Sequence, residues 1–310
     1  MFNKLFINKA IARSAENGMD RRRLFRAAGA AGLGAGAVGV LGAVPALAQG
    51  EGGGPSDAAI LNFALNLEYL EAEFYLKAVT GQGLPDGSIG GKGYVGDVTG
   101  GRKVAFETKA VRQYAEEIAA DERAHVDFLR KALGGAAVAR PEIDIDAAFT
   151  AAARAAGLIQ PGQKFDAYAN EENFLLAAYV FEDVGVTAYK GAAPLVDNAT
   201  FLDAAAGLLA VEAYHAGNIR TLLYSKGLQA PSVAVSDARD SLDGDIDLDQ
   251  GVVDSSGRAN IVPTDGNGLA FGRSAAQVLN VVYLTPKQAT SGGFFPAGVN
   301  GSINESGANA

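Results

Sequence analysis

Hydrophobic positions recur every three or four residues along four long stretches of the chain, which is the spacing of one face of an α-helix. The stretches cover about residues 56–80, 103–133, 165–191 and 199–227. A glycine-rich connection, 81–101, joins the first two. A longer connection, 135–164, with a short helical segment at about 146–156, separates the second from the third. The pattern predicts an all-α fold, a four-helix bundle over 56–228 with one long crossover connection.

The helical pattern fades after Pro231, where Asp, Gly, Ser and Asn become frequent. We therefore predict an irregular acidic extension over 229–310, with one short helix at about 274–283. Aspartates occupy every second position of one run in it, namely Asp243, Asp245, Asp247 and Asp249. The run lacks the glycine and the closing glutamate of an EF-hand calcium loop, which favours a solvated acidic turn.

The first 48 residues have the three-part layout of an export signal. A basic cluster, Arg21–Arg23, precedes Leu24 and Phe25, an apolar stretch rich in Ala and Gly, and the small residues of Ala46–Ala48. The paired arginines are similar to those of twin-arginine signals, which predicts cleavage after Ala48 and a periplasmic or other extracytoplasmic location. A membrane anchor is the alternative, although about 18 residues of this composition are marginal for spanning a bilayer.

The amino-acid composition excludes several kinds of functional site. The 310 residues include no cysteine, which excludes disulfides, thiolate-ligated metal sites and a cysteine nucleophile. The formal net charge is −9, and loss of residues 1–48 would remove seven basic and two acidic side chains and leave −14. We expect no nucleic-acid binding by such an acidic chain, and no stable transmembrane helix after the signal is removed. The sequence leaves the oligomeric state open.

The two histidines of the chain each follow a glutamate by three residues. Glu122 precedes His125, and Glu212 precedes His215. Residues three apart share one face of a helix. A carboxylate and an imidazole one turn apart can therefore bind the same metal ion, and the carboxylate can bridge to a second ion.

The first and third predicted helices each carry a glutamate within an otherwise apolar stripe. These residues, Glu68 and Glu182, superimpose when the first helix is shifted by 114 residues, and the second helix matches the fourth at a shift of 90. The chain is thus interpreted as two related helix pairs. Pseudo-twofold packing of the pairs would bring both lone glutamates and both Glu-x-x-His motifs to the centre of the bundle.

Four carboxylates in apolar surroundings must be neutralised. No lysine or arginine occupies the stripe positions, whereas two divalent cations would cancel the four charges and accept nitrogen ligands from the imidazoles. We therefore predict two metal ions, iron or manganese, bridged by Glu122 and Glu212. The six predicted ligands are Glu68, Glu122, His125, Glu182, Glu212 and His215.

Polar neighbours of these residues require separate interpretation. Tyr75 and Tyr189 follow the lone glutamates by two turns on the same face, and they are predicted to be hydrogen-bond donors to the ligands or redox-active catalytic phenols. Core aromatics with satisfied hydroxyls are the alternative. Glu71 lies at the edge of the stripe and Glu73 points away from it, so neither is predicted as a ligand. The remaining acidic residues of the second helix are interpreted as solvated surface charge, namely Glu116, Glu117, Asp121 and Asp127.

The spacing of the six predicted ligands resembles the dimetal-carboxylate site of the ferritin-like family, over about residues 57–227. Within that family, the segments Asn62–Glu68, Gly268–Phe271 and Gly292–Pro296 are similar to those of exported desiccation-related proteins. The resemblance implies the bundle and the site. It does not imply a single reaction, because relatives oxidise Fe(II), store iron, decompose peroxides or oxidise organic substrates with O₂.

The resemblance implies a dimetal site that reacts with O₂ or H₂O₂ in metal oxidation or peroxide detoxification, as a form of stress protection. The 81–101 connection and the acidic extension are not features of cage-forming ferritins, and a chain without cysteine cannot carry a rubredoxin-type electron-transfer module. One alternative is a non-catalytic envelope protein whose metals only stabilise the bundle. Another is a binding scaffold that acts through the connection and the extension.

Overall fold

The computed structural model of the chain describes residues 54–309, so the predicted signal peptide lies outside the described residues. The helices in this range are α1 (Asp57–Thr80), α2 (Lys109–Leu133), α3 (Ala147–Ala155), α4 (Glu171–Ala192), α5 (Ala199–Ser225), α6 (Gln229–Asp243) and α7 (Ala275–Val282). Two short strands, β1 (Val98–Thr99) and β2 (Ile143–Asp144), accompany them, with 3₁₀ turns at Asp86–Ser88, Gly134–Ala136 and Ala193–Leu195.

The four long helices form the bundle. Helix α1 packs along α2, α4 packs along α5, and the two pairs meet mainly through α1 and α4. The crossover between α2 and α4 contains β2 and α3. The predicted all-α four-helix bundle with one long crossover connection is therefore confirmed. Among residues 54–309, no helix has both the length and the apolar character that crossing a membrane requires.

Helix α2 begins six residues later than the sequence pattern predicts. The preceding segment, 103–108, is held in a non-helical conformation by tertiary hydrogen bonds. The backbone N–H of Val104 donates to the carbonyl of Ala78 at 2.8 Å, and that of Thr108 donates to Oε2 of the buried Glu171 at 2.8 Å. Local periodicity does not encode such contacts, because Glu171 lies 63 residues further along the chain.

The glycine-rich connection 81–101 is ordered against the crossover, where β1 pairs in parallel with β2. A Cβ atom on Gly96 would lie 2.1 Å from the backbone nitrogen of Glu142, so this close approach requires glycine. The guanidinium of Arg140 donates to the carbonyl of Gly96 at 2.7 Å and to Oε1 of Glu73 at 2.5 Å. Glu73 is therefore buried in an ion pair, which explains a carboxylate on α1 outside the predicted site.

The C-terminal extension contains two helices, and the prediction of one short helix in 229–310 is wrong. Helix α6 continues where the apolar pattern fades because its inward face is polar: Ser232, Ser236 and Arg239 are buried. Phe294 and Phe295, near the C-terminal end, are also fully buried. The ring of Phe294 packs edge-on against Phe181 of α4, with centroids 4.8 Å apart. The extension is thus part of the core.

Three arginines and three aspartates link α4 and α5 to the extension. The guanidinium of Arg220 donates to Asp183 at 2.7 Å, and that of Arg273 donates to Asp249 at 2.9 Å. We call this cluster the ion network; it consists of the buried residues Asp183, Arg220, Arg239, Asp243, Asp249 and Arg273.

The acidic run of the extension is divided between this network and solvent. Asp243 and Asp249 are buried partners of arginines, and the interpretation of a solvated turn is wrong for them. Asp245 and Asp247 are exposed, as a solvated turn requires. The two ends of the aspartate run are therefore buried, and its middle is solvated.

Candidate metal centre

The carboxylate of Glu122 lies between the two imidazoles at the centre of the bundle. Its Oε1 is 3.0 Å from Nδ1 of His215, and its Oε2 is 3.6 Å from Nδ1 of His125. The two imidazole centroids are 6.3 Å apart. Helices α2 and α5 thus place both Glu-x-x-His motifs around one point, with Glu122 in the position of a bridge.

Glu68, Glu182 and Glu212 complete the arrangement. Nδ1 of His125 is 3.1 Å from Oε2 of Glu68 and 3.6 Å from Oε1 of Glu212. Nδ1 of His215 is 3.7 Å from Oε2 of Glu182. The structure therefore brings all six predicted ligands together.

The ligand atoms form two groups, each with all its atoms within 4.8 Å of one another. Glu122 belongs to both groups, which are Glu68, Glu122, His125 and Glu212 in one and Glu122, Glu182 and His215 in the other. This is the arrangement that two adjacent ions with a shared carboxylate require.

The two predicted catalytic tyrosines bind the lone glutamates crosswise. The hydroxyl of Tyr75 on α1 donates to Oε1 of Glu182 on α4, and that of Tyr189 on α4 donates to Oε1 of Glu68 on α1. Burial, and then the neighbouring carboxylates, raise the pKa of both phenols well above the ordinary value. Each tyrosine is therefore protonated and donates to Oε1 of one glutamate. The Oε2 atom of that glutamate remains directed at a histidine. A redox role for them stays a prediction.

Asp121 is a site residue that the sequence interpretation placed on the solvated surface. Its Oδ2 lies 3.1 Å from Nε2 of His215, on the side of the ring away from Glu122. A carboxylate there fixes the ring and leaves Nδ1 free for a metal. Val211 occupies the equivalent position at the 90-residue shift, so the repeat does not reveal Asp121. Its position next to Glu122 is the signal that could have found it.

Glu71 is the second residue that sequence reasoning missed. It is buried, and one of its oxygens lies within 4.8 Å of ligand atoms of Glu182 and Glu212. Burial raises its pKa well above the usual value, and the charge of Glu122 raises it further. The Glu68-x-x-Glu71 spacing, one helical turn, was the available signal.

Comparison with known proteins agrees with this geometry. Residues 56–225 match the family model described as a ferritin-like domain. The chain belongs to the ferritin-like family. The desiccation-related protein PCC13-62 of Craterostigma plantagineum is 30% identical over 270 residues, which cover 79% of this chain and 83% of that protein. The ferritin-like catalase Nec2 of Nesocodon mauritianus is 28% identical over 273 residues, which cover 80% and 85%. No solved structure matches significantly. The family resemblance seen in the sequence is confirmed.

The donor atoms of this ferritin-like bundle fit a metal pair. Within residues 54–309, several buried atoms that could bind a metal lack a hydrogen-bond partner of suitable geometry. They are both oxygens of Glu122, Oε2 of Glu182, Oε2 of Glu212 and Nδ1 of His215. Buried polar atoms without partners are rare because desolvation costs free energy. Carboxylate oxygen and imidazole nitrogen are ligands that both iron and manganese accept.

The metal-free site depends on protons. Burial raises the pKa of Glu68 to about 7 and that of Glu182 to about 8. Burial also opposes ionisation of Glu122, but the two histidines close to its oxygens outweigh it and lower its pKa to about 2. Burial would lower the pKa of the imidazoles, yet nearby carboxylates raise it to about 11 for His125 and about 9 for His215. Imidazolium charge thus compensates carboxylate charge, and a metal must displace these protons.

Proposed function

We propose that the protein binds two iron or manganese ions at this centre and uses them to decompose H₂O₂ or to oxidise metal with O₂. The observation that carries the proposal is the Glu122 carboxylate between two Nδ1 atoms in a buried site with unpartnered donors. The relative named a ferritin-like catalase supports H₂O₂ as the first substrate to test.

A small cavity lies beside the site. A cavity of about 20 Å³ between α1, α4 and α5 is lined by Ala64, Ala188 and Tyr189, among other residues. This volume admits roughly one water-sized molecule. Tyr189 contacts Glu68, so the cavity ends one hydrogen bond away from a ligand.

The residues of the chain have separable roles. Glu122 would contribute to the binding of both ions, while Glu68 and Glu182 would each help to hold one ion. The hydroxyls of Tyr189 and Tyr75 fix the other oxygens of these two glutamates. A pair of redox-active ions would supply the electron transfer at this centre.

Metal analysis of natively purified protein is the decisive experiment. We expect two iron or manganese ions per chain, and loss of both in the variant His125→Ala/His215→Ala. The chain contains no other histidines, and purification without a histidine tag therefore avoids metal bound to added histidines. Glu117→Gln, at an exposed position on α2, is the matched control and should keep both ions.

Turnover is measured next on the same samples. The metal-loaded protein should release O₂ from H₂O₂, or oxidise Fe(II) under air, and the double histidine variant should do neither. Absence of bound metal after anaerobic reconstitution with Fe²⁺ or Mn²⁺ would contradict the proposal.

A non-catalytic role is the second candidate, and the 30% identity to a desiccation-related protein favours it. In that role the metals only stabilise the bundle. Thermal unfolding with and without metal separates the catalytic role from the structural role. A ligand that binds only the folded state raises the free energy of unfolding by RT ln(1 + [L]/Kd). A large metal-dependent rise in Tm without H₂O₂ or Fe(II) turnover would identify the structural role.

We also propose export by the twin-arginine route, on the strength of the Arg21–Arg23 cluster and the apolar stretch that follows it. The periplasmic fraction of an expressing bacterium should contain protein that begins at Gln49. Replacement of Arg22 and Arg23 by lysine should keep the protein in the cytoplasm. Equal export of this variant and the original chain would contradict the proposed route.

A further inference from the structure

Glu71 breaks the pseudo-twofold symmetry of the centre. The shift of 114 residues that superimposes Glu68 on Glu182 places Glu71 on Gly185. A Cβ atom on Gly185 would lie 2.4 Å from Oε2 of Glu212 and 3.4 Å from Oε1 of Glu71. The α4 helix therefore lacks a side chain at the point where α1 contributes an extra carboxylate.

Gly185 lies in the interior of α4, where glycine is less favourable than alanine. Its backbone conformation is helical, so the turn itself does not require glycine. The space that it leaves is occupied by the carboxylate of Glu212, and Glu71 lies next to it at ordinary van der Waals distance. This is a packing reason for glycine at the point where the two carboxylates meet.

Glu71 changes the charge of the centre. With Glu71, five buried carboxylates surround the two imidazoles, and in the part of the chain that the structure describes no lysine or arginine pairs with any of them. When metal binding has displaced the protons of all five carboxylates, two divalent ions with neutral imidazoles would cancel four of the five negative charges. One negative charge would then remain within the site.

We propose that Glu71 is an additional metal-facing carboxylate that favours the higher oxidation state of the metal pair, and that Gly185 makes room for the Glu212 carboxylate beside it. The inference rests on the proposed dimetal function. The attraction between an anion and an ion scales with the charge of the ion, and the effect is large at short distance in a buried site. Transfer of one electron from one of the two ions to a one-electron oxidant would make the total charge of the site neutral.

The variant Glu71→Gln tests this by removing the charge and keeping the shape. We expect it to retain two ions per chain while its preference for oxidised over reduced metal falls at least tenfold. In an anaerobic redox titration followed by absorbance, a tenfold change corresponds to a rise of 59 mV in the midpoint potential for a one-electron couple. Glu117→Gln, which removes an exposed charge from α2, should leave the potential unchanged.

Gly185→Ala is the second variant, because its new methyl group would displace the carboxylate of Glu212, which lies beside Glu71 in the site. We expect its midpoint potential to shift in the same direction as that of Glu71→Gln. Thermal unfolding of the metal-free proteins checks folding, and Glu71→Gln should melt higher than the original chain because it lacks a buried acidic group.

The outcomes separate this inference from the proposed function. A chain that binds no metal refutes both. Two bound ions with the same midpoint potential in the original chain and in Glu71→Gln would overturn only the role of Glu71. Loss of an ion from Glu71→Gln would also overturn it, since Glu71 would then be required in both oxidation states.

Discussion

The bundle contains two buried clusters of charge, and they are compensated differently. The ion network holds three aspartates and three arginines, and its ion-pair distances run from 2.5 to 3.2 Å. The metal centre holds five glutamates and two histidines, and its unpartnered atoms include both oxygens of Glu122. The clusters are close in sequence: Asp183 of the network follows Glu182 of the centre.

The difference shows which buried charges the protein neutralises by itself. A buried ion must be paired, because desolvation costs several kcal/mol in proteins. Arginine supplies the pairing in the network, where Arg220 also donates to the carbonyls of Gln250, Gly251 and Asn260. The centre has protons alone for this purpose unless cations bind. The network therefore stabilises the fold without help, and the centre is suited to binding.

Removal of one network cation should have the largest effect. Arg273→Met leaves Asp243 and Asp249 buried with one partner fewer each. Breaking a buried pair from one side costs about 3–5 kcal/mol in free energy of unfolding. Urea denaturation of the metal-free protein measures this. Arg258→Met, which breaks an exposed pair with Asp254, is the control and should change the stability little. Equal stabilities for the two variants would contradict the distinction between the clusters.

Removal of one charged group from the metal centre should instead raise the stability of the metal-free protein. Burial raises the pKa of Glu212 well above its usual value, and the neighbouring Glu71 raises it further. Folding without metal must therefore bury this charge or take up a proton. Glu212→Gln removes the cost, and we expect the metal-free protein to gain about 1–3 kcal/mol. The metal-loaded protein should instead lose stability, because a ligand is gone. Destabilisation in both states would show that the metal-free centre is already satisfied.

The sequence predicts the bundle and the six ligands because both depend on local periodicity. A helix face with a period of 3.6 residues is visible in the chain, and the repeats at 114 and 90 residues identify Glu68 and Glu182 without any tertiary information. The ion network is not visible in this way. Its partners lie up to 56 residues apart, as for Arg239 and Asp183. Polar residues on α6 are interpreted as solvent-exposed when their partners are unknown.

The internal repeat of the sequence does not identify Asp121 as a site residue. Its contact with His215 has no counterpart at His125, because Val211 stands at the equivalent position. Glu71 is hidden for the same reason, since its counterpart is Gly185. Both are features of one half of the centre, and symmetry reasoning finds what the halves share.

The two halves of the centre differ because a carboxylate contacts the far side of His215 but not that of His125, and Asp121→Asn should reduce this difference. Loss of a carboxylate that orients a metal-binding histidine typically weakens metal binding 10–100-fold. Asp121 has 43% of its side chain exposed, so solvent screens it and we expect about the lower value. Calorimetric titration with Mn²⁺ should show one of two sites weakened. Glu117→Gln is the surface control, and equal weakening of both sites would contradict a specific contact with His215.

The crossed tyrosines should give the smallest effects and the closest match between halves. Tyr75→Phe and Tyr189→Phe each remove one hydrogen bond to a lone glutamate and keep the ring in the core. A single hydrogen bond contributes about 0.5–1.5 kcal/mol net, so each variant should weaken Mn²⁺ binding by that free energy, at a different site of the pair. Both should keep two ions per chain. If one variant abolishes H₂O₂ or Fe(II) turnover at full metal content and the other does not, that phenol does more than hold a carboxylate, because the two contacts are equivalent in geometry.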